Sequence, residues 1–186
     1  TGSEVTIAAV VSDPASTRKF AIMSPRMVPI AAALDRALVT GLPPPITSAT
    51  GMDALTHAVE AYFWRNRTSK TDAEPLDATR LIMQNLPTAV KNGGNVEARQ
   101  NMALASFKAG VAFTTAGVGY VHAIAHNFGA YYHVPHGLAY AIILPRVLDF
   151  SKPNCTPRLA KLAEVSGLKK GNETDEQLAD AFIARV

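Results

Sequence analysis

The sequence predicts a mainly α-helical domain preceded by a short β-rich segment. Three observations carry that prediction. Residues 4–12 (EVTIAAVVS) and 19–23 (KFAIM) are dense in β-branched and apolar residues, as strands are. The stretch Gly41-Leu42-Pro43-Pro44-Pro45 then breaks the chain. Beyond it, apolar residues recur at helical spacing, separated by short joints rich in Gly, Pro and Asn. The break divides the chain into residues 1–44 and a helical part, residues 45–186.

Taken in order, the two strands suit a hairpin, with Asp13-Pro14 starting the turn. Met27 to Leu34 reads as a short strand or a helix, because Pro29 interrupts it. Thr47 to Trp64 is the first helix, with Ser48 or Thr50 able to cap it. Leu76 to Val90 is the second, introduced by Asp72, Glu74 and a Pro75 suited to the first helical position. Lys91-Asn92-Gly93-Gly94 ends it. Further helices follow at Glu97–Phe113, Tyr120–Tyr131, Pro135–Phe150, Arg158–Ser166 and Thr174–Val186. The last opens on Thr174-Asp175-Glu176-Gln177, a capping box. There is no internal repeat and no low-complexity tract.

Composition narrows the function classes. The formal net charge is +3 over 186 residues, and 48% of the residues are hydrophobic. The basic residues form no block longer than pairs such as Arg18-Lys19 and Lys169-Lys170, so no nucleic-acid footprint is expected. No apolar run reaches membrane-span length, so no membrane partner is expected either. The opening TGSEVTIAAVV lacks the charged start and small-residue cleavage site of a signal peptide. A single cysteine, Cys155, excludes an internal disulfide and fits a cytoplasmic protein. The chain starts on TGSEVT without a Met and stops on FIARV within a helical pattern, which reads as a piece of a longer protein.

Histidine carries the chemistry. Four of the five histidines, His122, His126, His133 and His136, fall within one window, GYVHAIAHNFGAYYHVPHG. His122 and His126 are four apart, on one helix face. Gly129 and the following run end that helix, and Pro135 starts the next with His136 in its first turn, so the chain can fold His136 back toward His122. A separate helix carries Asp53 and His57 at the same spacing of four. Any one of these residues alone is more simply a satisfied core or surface group. Together they point to a metal site. Three imidazoles and a carboxylate suit Fe(II), Zn, Co or Ni rather than Mg or Ca. Spacing leaves open which of the window's histidines bind. Glu60, one turn beyond His57, reads either as a group orienting His57 or as a surface carboxylate.

The segments GMDALTHAVEAY, residues 51–62, and AGVAFTTAGVGYVHAIAHNFGAYYHVPHGLAYAIILP, residues 109–145, closely resemble the iron-containing alcohol dehydrogenases. TGSEVT resembles the segment that lies against the nicotinamide cofactor in that family. The resemblance implies the helical metal-binding domain of the dehydroquinate synthase-like fold. Residues 1–44 would then be the last part of the α/β dinucleotide-binding domain. It implies Asp53, His57, His122 and His136 as metal ligands, and Fe(II) as the metal, with Zn or another divalent ion able to replace it. His126 matches a histidine that stays off the metal and faces the substrate, a catalytic role. Thr1, Thr6, Val10, Lys19 and Leu38 match cofactor-contacting positions for NAD or NADP. His133 has no implied role and reads as a loop residue.

The implied reaction is interconversion of an alcohol with an aldehyde or ketone by hydride transfer, in a homo-oligomer of dimer size or larger. Some positions depart from the family. No glycine-rich phosphate loop is present, and this predicts that the chain alone lacks dehydrogenase activity. Gly117-Val118-Gly119 has no third glycine and no preceding strand, so it reads as close helix packing. Asn127 and Arg146 stand where the family usually has Pro and His. The competing classes are a metal-dependent hydrolase or lyase on a helical scaffold, and a non-catalytic metal-binding domain. The absence of a His-Asp dipeptide and the otherwise unexplained TGSEVT segment argue against the hydrolase.

Overall fold

Pro44 and Pro45 begin helix α1 (Pro44–Phe63) rather than merely preceding it. A proline lacks only an N–H that the first turn leaves unpaired in any case. The helix therefore starts three residues before the expected Thr47, and neither Ser48 nor Thr50 caps it. Their hydroxyls instead donate back to Pro45 O (3.0 Å) and Ile46 O (2.8 Å). The computed structural model describes residues 1–13, 15–16, 18–65 and 71–186, without the Lys19 side chain. Pro14 of the expected turn lies outside the described residues.

Strands β1 (Ala8–Asp13) and β2 (Arg18–Met23) form an antiparallel hairpin, with Val10 opposite Ala21. The strand expected from residue 4 starts later. Val5 N–H closes a turn on Gly2 O (3.2 Å), and Val5 O accepts the Thr114 hydroxyl (3.3 Å), so this backbone serves a helix contact and not a ladder. The ambiguous segment, Met27 to Leu34, is neither strand nor helix beyond Met27, the last residue of a short 3-10 helix (Pro25–Met27), and a second 3-10 helix spans Arg36–Val39.

Five more helices follow: α2 (Ala73–Lys91), α3 (Val96–Ala116), α4 (Tyr120–Tyr132), α5 (His136–Val165) and α6 (Asp175–Arg185). Helix α2 starts at Ala73, so Pro75 is its third residue, still within the turn that needs no N–H partner. The helices expected at residues 135–150 and 158–166 are one element, α5, bent at Cys155 (φ −141°, ψ 19°) between Pro153 and Pro157. Prolines at both sides of the bend remove hydrogen bonds from the ladder without ending the helix. The α6 capping box forms as expected: Thr174 Oγ1 accepts from Gln177 N–H, and Gln177 Oε1 accepts from Thr174 N–H.

Helix α1 is the centre of the molecule and packs against α2, α3 and α5. Every residue from Asp53 to Tyr62 is buried, so it has no polar face to give to water. Around it lie Ile82, Val121, Tyr140, Leu144, Leu148 and Leu159, and Leu178 and Phe182 of α6, packed on α5, complete the same core. At Gly137 the start of α5 meets α1 backbone to backbone. A Cβ there would lie 2.0 Å from Ala49 O, so only glycine allows the approach. Among the described residues no helix is long and apolar enough to cross a membrane.

Candidate metal centre

A helix buried on all sides has no water to solvate charge, yet α1 carries Asp53, His57 and Glu60 into that interior. Asp53, His57 and His122 of α4 are 6%, 7% and 4% exposed. One donor atom from each lies within 4.8 Å of the other two. His57 Nε2 is 3.7 Å, and His122 Nε2 4.0 Å, from Asp53 Oδ1. These separations are too long for hydrogen bonds. Two donors on one ion at about 2.1 Å stand about 3.4 Å apart at a tetrahedral angle and about 4.2 Å apart in trans. The observed separations fall in that interval.

Asp53 Oδ1, His57 Nδ1 and His122 Nε2 are fully buried without a hydrogen-bond partner. Buried polar atoms are almost always paired, and an orphan calls for an explanation. Two of these orphans, Asp53 Oδ1 and His122 Nε2, face each other at 4.0 Å with His57 Nε2 3.7 Å from the same oxygen, which fits a cation among them. Burial, and then the charge of neighbouring His122, holds the His57 pKa well below its usual value. Its imidazole is therefore neutral near pH 7, the state in which it ligates metals. The ring stacks between Phe113 (centroids 4.2 Å) and His122 (4.6 Å), which fixes its plane.

The remaining histidines form a rim. His136 is exposed, with its Nε2 2.8 Å from the Tyr140 hydroxyl and its ring centroid 6.5 Å from that of His122. The structure thus brings three of the four expected ligands together and sets His136 one step outward. Burial, then the Asp53 and Glu60 carboxylates, push the Tyr140 pKa far up, so its hydroxyl stays protonated beside His136. His126 is half-buried, with ring centroids 5.4 Å from His136 and 5.9 Å from His122. His133 is exposed and ends α4 in the left-handed region (φ 55°), a terminator rather than a member of the cluster.

Glu60 does neither of the things expected of it. It is 7% exposed, so it is no surface group, and it orients His122 rather than His57. Its two oxygens accept Gly119 N–H (2.8 Å) and Val121 N–H (2.6 Å), and Oε2 lies 2.5 Å from His122 Nδ1. The spacing Asp53, His57, Glu60 (i, i+4, i+7) was the available sign that all three share a face. Phe113 and Tyr140 were also missed. Tyr140 is four residues from His136 on α5, the spacing that pairs them; Phe113 has no local signal.

The expected cofactor positions are spread along the N-terminal segment. Thr1 and Leu38 line one cavity of about 360 Å3, together with Leu42, Thr47, Ala54 and Arg99. Thr6 is buried, and its hydroxyl accepts Ala8 N–H (3.1 Å). Val10 is exposed on β1. The backbone of Lys19 pairs with Ser12, and its side chain lies outside the description. Gly117 ends α3 with a positive φ (98°), and a Cβ there would touch the Trp64 ring at 3.4 Å. The Gly-Val-Gly run is thus a helix joint, as expected from its context. Asn127 and Arg146 are both exposed.

Residues 47–186 match the family model "Fe-containing alcohol dehydrogenase family, C-terminal". The chain belongs to the iron-containing alcohol dehydrogenase family. It is 46% identical over 186 residues to the 1,3-propanediol dehydrogenase of Klebsiella pneumoniae, covering all of this chain and 48% of that protein. It is 42% identical over 167 residues to the NAD-dependent methanol dehydrogenase of Bacillus methanolicus, covering 90% of this chain and 44% of that one. The crystal structure of a 1,3-propanediol oxidoreductase superposes over the whole chain and 48% of its own, with a TM-score of 0.95 at 43% identity. The chain spans about half the length of the curated relatives it matches.

Proposed function

We propose that this chain forms the metal centre of an NAD- or NADP-linked alcohol dehydrogenase. Asp53, His57, His122 and His136 hold a divalent ion, Fe(II) in the native state. The observation that carries the reading is the buried cluster of Asp53, His57 and His122, with one donor atom of each within 4.8 Å of the other two, in which Asp53 Oδ1 and His122 Nε2 lie 4.0 Å apart without hydrogen-bond partners. Asp53 supplies a carboxylate oxygen, and the imidazoles supply borderline donors that suit Fe(II) or Zn. His136 completes the set from the start of α5, where the Tyr140 hydroxyl holds its ring at the rim.

When bound, the ion supplies Lewis-acid polarisation of an alcohol or carbonyl oxygen. The chain's residues do the rest. His126 stands beside both His122 and His136, and holds the substrate hydroxyl proton at an imidazole nitrogen. Phe113 covers the inner side of His57 and keeps water from it. The substrates are small alcohols and their aldehydes or ketones, in keeping with the propanediol and methanol that name the relatives. Residues 1–44 belong to the cofactor side, where Thr1, Thr6, Val10, Lys19 and Leu38 contact the dinucleotide; the cavity lined by Thr1 and Leu38 supports this.

Metal analysis tests the reading. The purified chain, reconstituted anaerobically with Fe(II), retains a stoichiometric ion through gel filtration. Asp53→Ala and His122→Ala do not. Full occupancy in either variant overturns the ligand assignment.

A further inference from the structure

We infer that Glu60 is a positioning residue that fixes the tautomer of His122 and so leaves its Nε2 lone pair free for an ion. Only the last step rests on the metal centre proposed above; the tautomer itself stands on hydrogen bonds within the chain.

Helix α4 has no side-chain cap of its own, since its N-cap is Gly119. The N–H groups of its first turn need acceptors from elsewhere. Glu60 of α1 provides them, one oxygen to Gly119 N–H and the other to Val121 N–H. A negative group at this end is also favoured by the helix dipole. Capping alone is satisfied by those two bonds. The third contact, Oε2 to His122 Nδ1 at 2.5 Å, goes beyond it. A carboxylate only accepts, so the hydrogen sits on Nδ1. The lone pair then falls on Nε2, the atom that is buried without a partner and faces Asp53. Helix α1 therefore bears two of the donors and aims the third. Asp53, His57 and Glu60 ride on one rigid face, so the relation among the three donors is set by a single helix.

Glu60→Gln separates aiming from capping. The amide oxygen still accepts a backbone N–H of α4. The amide nitrogen donates to His122 Nδ1 and drives the ring hydrogen to Nε2, where it blocks coordination. In the metal-free protein, the nitrogen-15 spectrum of the imidazoles shows His122 as the Nδ1–H tautomer in the wild type and as Nε2–H in Glu60→Gln. Titration with Co(II), followed by its visible absorption, shows affinity about 10–100-fold weaker in the variant, while the helical circular dichroism of the two proteins is the same. An Nε2–H tautomer in the wild type overturns the inference, as does unchanged Co(II) affinity in a folded variant. If Glu60→Gln does not fold, the wild-type tautomer alone decides. If the wild type shows the Nδ1–H tautomer but binds no Co(II), the positioning inference stands and the metal reading falls.

Discussion

Two buried polar clusters meet helix α1, and they are built on opposite rules. At its first turns, Arg99 of α3 is 3% exposed, and its donors are satisfied without any carboxylate. Nε donates to Gly93 O (2.9 Å), Nη1 to Thr47 Oγ1 (2.7 Å) and Nη2 to Leu42 O (2.8 Å). Farther along, Asp53, His57 and His122 are equally buried, yet three of their atoms have no partner. A guanidinium spread over fixed acceptors is a brace between α1, α3 and the chain before α1. A carboxylate and two imidazoles that face one another at 3.7 and 4.0 Å are destabilised until something joins them. Satisfaction marks structure and its absence marks function, and that contrast separates two groups of similar burial on one helix.

The largest expected effect breaks the brace. Arg99→Ala removes three charge-assisted hydrogen bonds from a buried side chain, at a cost of about 3–5 kcal/mol in urea unfolding. The Asp53 cluster behaves otherwise. Asp53→Asn lowers Co(II) affinity at least about 100-fold, about 2.7 kcal/mol, because it removes the charged donor. The same change leaves the metal-free protein as stable as the wild type or more so, since it removes a buried carboxylate whose Oδ1 has no partner. A parallel pair of thermal melts, with and without Co(II), checks both halves. If Asp53→Asn destabilises the metal-free chain as much as Arg99→Ala does, the contrast fails.

A smaller change tests whether His136 belongs with the cluster. Gly137→Ala puts a methyl group against Ala49 O and forces the start of α5 away from α1. A stability loss of about 1–3 kcal/mol is expected from such overpacking. Because His136 is the adjacent residue, Co(II) affinity falls as well. A variant that is destabilised but binds Co(II) normally would restrict the centre to Asp53, His57 and His122.

How much of this was legible depends on the range of each interaction. Asp53 with His57, and Thr174 with Gln177, are pairs three or four residues apart, and helical geometry alone joins them. The direction in which the chain turns at Gly129–Pro135 was also readable, and it brings His136 toward His122. Glu60 was visible as a carboxylate but not as a buried one, because its partners Gly119, Val121 and His122 lie about sixty positions away. Arg99 reads as one more basic residue on a helix, and the carbonyls that hold it come from Gly93 and from Leu42, 57 positions away. The prolines misled in a different way. Pro44 and Pro45 look like a linker and start a helix; Pro153 and Pro157 look like a break and only bend one.

The smallest predicted effect shows how far the site is insulated from the frame. Thr174 caps α6, which packs chiefly on α5 through buried Leu178, Ala179 and Phe182. Thr174→Ala removes one hydroxyl acceptor from the first turn and costs about 1 kcal/mol. The helix still docks, because burying Phe182 and Leu178 outweighs a lost cap. Helix α6 packs chiefly on α5, so the Co(II) affinity of Thr174→Ala equals that of the wild type while its urea midpoint falls. A cap variant that weakened metal binding would mean that α5 carries strain from α6 to His136. The donor cluster would then depend on the whole bundle, and not on α1 and His122 alone.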